Sequence, residues 1–369
     1  MKKSLISAMT ALCVLFSVAP ECDGADISAG SALVYEPFSG SVLYEKNADE
    51  RMLIASTTKI MTALVVIENC APDEKVNVKR EHAALEGSSM YLKPGEDYTV
   101  EDLLYGLMLA SGNDAAAALA EHCAGSMDAF ADMMNAKCRQ WGLENTHFVN
   151  SHGLDDERQY STARELAVIT AKAMENEAFC RIFAAKSCSV NGLNYKNHNK
   201  LLSICPGCIG GKTGYTEKAG RILVSCVERE GMRLICVTIS DPRDWEDHMR
   251  LYECCFSQYE FISLPGTRIE VLSGDECSLD VRGSKTGFVA EKGSGQELRI
   301  NLPDFVFAPV EKGDALGRAE LIMPDGKTMS IELTAAESVA LDESQRAGVW
   351  DKVRKLWKGG SGFGIYYPG

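Results

Sequence analysis

The order of the predicted secondary-structure elements constrains the fold of this chain more than any other feature of its sequence. Residues 32–45 alternate between apolar and polar side chains around a Ser39-Gly40 turn, which predicts a β-hairpin. Helix-like segments then dominate to about Asn176, and strands return later, at 209–214, 221–227 and 233–239. Strands on both sides of a long helical stretch predict one mixed α+β domain whose sheet joins both ends of the segment.

Local signals place several elements within and beyond this domain. Helices are predicted from Thr57 to Asn69 and after two capping-box patterns, Thr99-x-x-Asp102 and Thr162-x-x-Glu165. A helix over 245–259 closes the domain, and Ser263-Leu264-Pro265-Gly266 follows as a linker. Short alternating runs then predict a small all-β unit with no recognisable chemistry, at 268–272, 297–302, 319–323 and 329–333.

The two ends of the chain indicate export. Lys2 and Lys3 precede an apolar run over 5–19, which is typical of a secretory signal peptide. Cleavage could follow Ala19 or Ala25; Pro20 disfavours the first, so we place the end of the peptide at residue 25, and an uncleaved anchor is the alternative. Residues 344–369 form an amphipathic segment in which Trp350 and Trp357 share a face opposite lysines and an arginine. This pattern favours a helix on an anionic membrane surface, and a helix packed on its own domain is the alternative.

Composition narrows the function classes. The chain has 369 residues and is 46% hydrophobic and 24% charged, a composition that favours folded domains. Its formal charge of −14 argues against nucleic acid as a partner, because phosphates are bound by Lys and Arg. Its 14 cysteines are scattered. Cys205 and Cys208 form one C-x-x-C pair that suits a disulfide, a redox site or half a zinc site, and no second pair completes a ligand set. We therefore expect no metal and no cofactor.

Three short motifs carry the candidate chemistry. Ser56-Thr57-Thr58-Lys59 opens a predicted helix and places its amine one turn from its hydroxyl. Ser111-Gly112-Asn113 lies in a tight connection between two helices, which is expected to expose both polar side chains. Lys212-Thr213-Gly214 lies on a predicted strand, whereas a second copy at 285–287 lies beyond the linker and is rejected. Each motif alone is equally compatible with ordinary caps and turns.

In this order, the three motifs resemble the set shared by penicillin-binding proteins and class A β-lactamases. The chain is similar in particular to low-molecular-mass penicillin-binding proteins, the serine-type D-alanyl-D-alanine carboxypeptidases, over about residues 32–357. The resemblance implies a catalytic domain at 26–262, with helices on both sides of an antiparallel sheet plus a helical subdomain. It also implies a small all-β sandwich at 263–343 as a stalk, and a membrane anchor at 344–369.

The resemblance also implies a role for each motif residue. Ser56 would be the acyl-ester nucleophile on the penultimate D-Ala of a peptidoglycan stem peptide, and Lys59 would be its general base. Ser111 and Lys212 would relay a proton to the leaving amine. The substrate would be bound by Asn113, Thr213, Gly214 and Tyr215, with the N–H groups of Ser56 and Tyr215 as the oxyanion hole. β-Lactam antibiotics would be further ligands, and the protein would act outside the cytoplasmic membrane, peripherally on its outer face.

Other functions remain open at this stage. A β-lactamase would need a carboxylate base for deacylation, for which Glu144 and Glu165 are available. A Ser-His-Asp triad would have to recruit His147 or His152, neither of which has a clear Asp partner. A non-catalytic wall sensor that keeps the fold is the third alternative, although it would have no need of both lysines.

Overall fold

The computed structural model describes residues 26–342, and its contacts divide the chain into two units at Ser257 and Gln258. The sequence analysis places this division at 262/263, but the strand over Tyr259–Ser263 pairs with Gly287–Glu291 and so belongs to the second unit. The predicted signal peptide and the amphipathic segment lie outside the described residues. Within 26–342, no helix combines the length and the apolar character needed to cross a bilayer.

An antiparallel five-stranded sheet organises the first unit. Its spatial order is β2-β1-β9-β8-β7, and the strands are β1 (Ser31–Glu36), β2 (Ser41–Lys46), β7 (Cys208–Thr216), β8 (Gly220–Arg229) and β9 (Met232–Ile239). β1 pairs with β9, so the sheet joins the two ends of the unit as the sequence predicts. Glu230 and Gly231 both take positive φ in the turn between β8 and β9.

Helices cover both faces of this sheet. Because side chains alternate along a strand, Ile222 and Val224 of β8 face the main hydrophobic cluster. Ser225 points the other way and bonds His248 at 2.7 Å. The helices are α1 (Lys59–Asn69), α2 (Arg80–Ala83), α3 (Val100–Leu109), α4 (Asn113–Ala124), α5 (Met127–Trp141), α6 (Ala163–Ala173), α7 (Glu177–Phe183), α8 (Leu201–Ile204) and α9 (Asp244–Gln258).

The predicted capping boxes fold differently from each other. At α3, the Thr99 hydroxyl accepts from the Asp102 N–H and the Asp102 carboxylate accepts from the Thr99 N–H, as predicted. At α6, Thr162 caps the Glu165 N–H, but the Glu165 carboxylate accepts from Asn145 and Thr146 instead of completing the box. Two small hairpins complete the unit, β3 (Lys75–Val76) with β4 (Tyr98–Thr99) and β5 (Ser187–Val190) with β6 (Leu193–Lys196).

The second unit consists of strands around two separate apolar clusters. A six-stranded sheet has the order β14-β16-β17-β12-β11-β15, and β10 pairs with β13 beside it. The strands are β10 (Tyr259–Ser263), β11 (Thr267–Leu272), β12 (Ser278–Gly283), β13 (Gly287–Glu291), β14 (Glu297–Asn301), β15 (Phe305–Phe307), β16 (Ala315–Ile322) and β17 (Thr328–Ala335). This sheet-rich architecture agrees with the predicted all-β unit.

Candidate active site

Ser56 and Lys59 lie where a 3-10 turn (Ala55–Thr58) runs into α1. Side chains three residues apart eclipse each other in a 3-10 turn, and the Lys59 Nζ is accordingly 2.9 Å from the Ser56 Oγ. Ala55 takes a φ of 43°, a left-handed conformation that is costly for a residue with a Cβ and clusters at functional sites. Gly153 packs so closely that an added Cβ would lie 1.9 Å from the Ala55 carbonyl oxygen.

The Lys59 amine is fully buried and touches three oxygen atoms. Besides the Ser56 hydroxyl, these are Asn113 Oδ1 at 2.7 Å and the His152 carbonyl oxygen at 2.6 Å. Burial lowers the pKa of Lys59 well below its ordinary value, and the charge of Lys212 lowers it further, with Asp114 opposing. The lowered pKa makes the neutral form of the Lys59 amine easier to reach, and this amine lies beside the Ser56 hydroxyl.

Ser111 and Asn113 are buried, each with only 4% of its surface exposed, so the expectation that the connection exposes them is wrong. The reason is the backbone: Ser111 takes a φ of 57°, which turns the segment between α3 and α4 inward. The Asn113 amide nitrogen donates to the Glu86 carbonyl at 2.7 Å, which fixes its oxygen towards Lys59. Asp114 accepts from the backbone N–H groups of Met90 and Leu92, and so holds the neighbouring loop.

Lys212 reaches the same region from β7, the edge strand of the sheet. Its amine lies 2.9 Å from the Ser111 Oγ and 2.8 Å from the Thr213 carbonyl oxygen. Burial alone lowers the pKa of Lys212 to about 7. The neighbouring Gly214 lets the strand approach Ser56, because a Cβ there would lie 3.2 Å from the Ser56 backbone nitrogen.

A cleft of about 340 Å³ opens over these groups. Motif residues from three separate segments line this one cleft, namely Ser56, Ser111, Thr213, Gly214 and Tyr215. The cleft also contains residues that the sequence analysis did not single out as site residues, namely Ser88, His198, Lys200, Arg221, Asp244 and Trp245. No motif in the sequence distinguishes these residues, because they come from separate segments that only the fold brings together.

A comparison with known protein families decides what this arrangement is. A sequence model of the D-alanyl-D-alanine carboxypeptidase family, peptidase S11, matches residues 16–243. The chain belongs to this family. The resemblance inferred from the motifs is thereby confirmed.

Individual carboxypeptidase relatives extend over most of the chain. It is 31% identical to D-alanyl-D-alanine carboxypeptidase DacF of Bacillus subtilis, over 94% of this chain and 96% of the relative. It is 32% identical to DacC of Escherichia coli, over 92% and 90%. Penicillin binding protein 5 from Haemophilus influenzae superposes with a TM-score of 0.72 at 30% identity, covering 85% of this chain and 98% of that structure. The predicted fold class is confirmed by this similarity.

The two histidines considered for a triad, His147 and His152, make their hydrogen bonds with groups other than Ser56. His147 Nδ1 lies 2.6 Å from the Arg158 carbonyl oxygen. His152 contributes its backbone carbonyl to Lys59, while its ring nitrogen Nδ1 accepts from the Leu154 N–H at 3.2 Å. Burial and the charge of Lys59 lower the pKa of His152 to about 4. Sequence reasoning missed the His152 carbonyl because every residue type carries the same group.

The two carboxylates considered for a β-lactamase mechanism lie elsewhere. The Glu165 carboxylate accepts from the Asn145 N–H at 2.9 Å and from the Thr146 hydroxyl, which makes it part of a structural network. Glu144 is exposed, and its carbonyl accepts from Arg51. Neither residue lines the cleft. The structure therefore gives no support to either as a deacylation base.

Proposed function

We propose that this carboxypeptidase removes the terminal D-alanine from peptidoglycan stem pentapeptides through an acyl-enzyme on Ser56. The reaction class follows from its family and relatives, and the roles of individual residues are our assignment. These roles rest on the contacts of the Lys59 amine. This amine lies 2.9 Å from the hydroxyl of Ser56, and Ser56 lines the cleft.

Lys59 is assigned as the general base because of how its hydrogens are used. A neutral amine has two N–H donors and one lone pair. Asn113 Oδ1 and the His152 carbonyl oxygen can only accept, so they take both hydrogens at 2.7 and 2.6 Å. The lone pair is left for the Ser56 hydroxyl, which then donates to Nζ. Proton transfer to Lys59 accompanies attack of the Ser56 Oγ on the carbonyl carbon of the penultimate D-Ala.

Lys212 and Ser111 are assigned to the leaving group. Collapse of the tetrahedral intermediate breaks the peptide bond, and the departing amine takes a proton from the Ser111 hydroxyl, which Lys212 replenishes across 2.9 Å. Thr213 binds the terminal carboxylate and Asn113 orients the substrate amide. Before deacylation, Lys59 gives up the proton it took from Ser56 and Lys212 regains one, with solvent as the proton carrier. The neutral Lys59 amine then takes a proton from the attacking water, which hydrolyses the ester, and this proton returns to the departing Ser56 Oγ.

Backbone groups are assigned as the oxyanion hole. The N–H groups of Ser56 and Tyr215 belong to segments that Gly214 allows to approach closely. A single donor of this kind typically contributes about 3 kcal/mol to transition-state stabilisation. The same donors and nucleophile suit the strained carbonyl of a β-lactam, so penicillins are proposed to acylate Ser56.

Fluorescent penicillin and a stem pentapeptide test this assignment. Ser56→Ala is expected to abolish covalent labelling and to reduce release of D-Ala by about 10⁴-fold or more, because the nucleophile is lost. Ser88→Ala is the matched control, since Ser88 also lines the cleft but belongs to none of the motifs. Labelling that survives in Ser56→Ala would refute the nucleophile. Rapid turnover of a chromogenic cephalosporin with no D-Ala release would favour a β-lactamase instead.

We also propose that the protein is exported and held on the outer face of the cytoplasmic membrane. The basic and apolar pattern of residues 2–19 supports export, and the tryptophans and basic residues of 344–369 support interfacial binding. Deleting all residues after Ala347 is expected to release the protein from membranes while activity on soluble peptide persists. A truncated protein that still sediments with membranes would contradict the anchor.

A further inference from the structure

Three potential metal ligands converge where α1 and α4 end, and a second cysteine lies beside them. Cys70 directly follows α1, Glu74 precedes β3, and His122 and Cys123 lie in the last turn of α4. The ligand atoms of Cys70, Glu74 and His122 all lie within 4.8 Å of one another. The Cys123 thiol lies beside the Cys70 thiol but outside this set of three.

The backbone around this cluster holds the side chains in place. One Glu74 oxygen accepts from the Ala71 N–H at 2.6 Å, and the other lies 2.8 Å from His122 Nε2. The Glu74 carbonyl in turn accepts from the Val100 N–H at 3.0 Å. Both helices direct their carbonyl ends to this region, and such ends favour a cation. The His122 side chain is 21% exposed, so an ion reaches the cluster directly from solvent.

We propose that Cys70, Glu74 and His122 bind a zinc ion, and that Cys123, which lies beside Cys70, moves in to complete the site as the fourth ligand. Two thiolates, one imidazole and one carboxylate are the ligand types that Zn²⁺ takes, and four protein ligands make a closed structural site. The thiolates disfavour Ca²⁺ and Mg²⁺, which prefer oxygen. Local spacing does not indicate this site, because its ligands come from segments some fifty residues apart, and the expectation from sequence was therefore no metal.

The position of the cluster gives the ion a defined role. α1 begins with Lys59 and α4 begins with Asn113, and these two side chains meet at 2.7 Å in the active site. The zinc site would join the same two helices at their opposite ends, about 17 Å away at a rise of 1.5 Å per residue. The ion would therefore stabilise the folded catalytic unit, and this inference does not depend on the chemistry proposed for Ser56.

A disulfide between Cys70 and Cys123 is the competing use of the two thiols. Cys254 is disulfide-bonded, so oxidation is compatible with this protein. A disulfide would involve neither Glu74 nor His122, however. It would therefore not explain why these two side chains lie so close to Cys70. The two possibilities differ in metal content and in the redox state of the thiols.

The test uses the full chain, purified without chelator or reductant. Elemental analysis is expected to find about one zinc per chain. Cobalt exchanged into the protein should show thiolate-to-metal charge transfer and the intense visible absorption of a tetrahedral site. Cys70→Ser and His122→Gln should each lower zinc affinity by at least about tenfold and lower Tm. Cys180→Ser is the control, because its half-buried thiol donates to the Met174 carbonyl outside the cluster.

Two results would overturn the proposal. The first is a Cys70–Cys123 disulfide peptide in the unreduced, metal-free protein. The second is zinc that binds equally to the wild type and to both cluster variants, which would make it adventitious. Retained zinc in Cys180→Ser together with lost zinc in Cys70→Ser and His122→Gln supports the site whatever the variants do to carboxypeptidase activity.

Discussion

The tripeptide Lys-Thr-Gly occurs in both units of this protein, and the two copies differ in nearly every physical respect. Lys212 is buried on β7, and its amine contacts the Ser111 hydroxyl. Lys285 is only half-buried and Thr286 is exposed, in the turn between β12 and β13. The chemistry attributed to the motif therefore comes from burial and from neighbours on other segments.

The glycines of the two copies, Gly214 and Gly287, also differ in what surrounds their backbone. A Cβ on Gly214 would lie 3.2 Å from Ala55 Cβ, Ile54 O and Ser56 N, all beside the nucleophile. A Cβ on Gly287 would lie 2.4 Å from the Ile262 carbonyl oxygen, where β10 pairs with β13. Both positions need glycine for close approach, but only Gly214 uses that approach to shape a catalytic site.

Between the two copies of the motif, the largest expected difference is that between Lys212→Ala and Lys285→Ala. Lys212→Ala should lower kcat/KM for D-Ala release by about 10²- to 10⁴-fold, because the proton donor for the leaving amine is lost. Lys285→Ala should leave kcat/KM within about twofold, as a surface substitution does. Steady-state kinetics on a stem pentapeptide check both, and a comparable loss in Lys285→Ala would break the comparison.

Smaller effects are expected from substituting Gly214 and Gly287. One substitution should change catalysis and the other should change stability. Gly214→Ala should lower kcat/KM by about 10- to 100-fold, since the Ser56 backbone must shift by a few tenths of an ångström. Gly287→Ala should instead destabilise the second unit by about 1–3 kcal/mol through overpacking. Kinetics and thermal unfolding of both variants separate the cases. A kinetic defect in Gly287→Ala with unchanged unfolding would contradict this reading.

The subtlest expected effect is on the pH profile of kcat/KM. Activity should rise with pH as Lys59 loses its proton below the ordinary lysine range, and fall above about pH 7 as Lys212 loses its own. Lys212→Arg keeps the positive charge at alkaline pH but cannot give up a proton, so kcat/KM should be low throughout and the fall near pH 7 should disappear, whereas Lys285→Arg should leave the profile unchanged. A falling limb that stays near pH 7 in Lys212→Arg would assign it to another group.

Local pattern predicted much of the catalytic unit. The hairpin of β1 and β2, the return strands β7 to β9, and the helix that ends at Asn69 follow from alternation, caps and turns. The i and i+3 spacing of Ser56 and Lys59 gave their contact correctly, because that distance is fixed by helix geometry. These features depend on residues close together in the chain.

What the sequence did not predict depends on long-range packing. The burial of Ser111 follows from a left-handed backbone angle that Ser-Gly-Asn does not specify. The zinc ligands and the Lys59–His152 contact join segments far apart in the chain, through groups with no distinctive spacing. β10 and β13 were missed because neither shows a clear alternation of apolar and polar residues: β10 runs into the presumed linker, and four of the five residues of β13 are buried.

The pairing of β1 with β9 has a consequence for how this protein is made. Strand β1 occupies residues 31–36 and β9 occupies 232–239, so about two hundred residues must be synthesised before these neighbours meet. The loop entropy of that closure makes the step slow compared with formation of local helices. A nascent chain that stops short of β7 has its serine and first lysine in place, yet it has no second lysine and no cleft. Catalytic competence is therefore acquired late, and abruptly, during biogenesis.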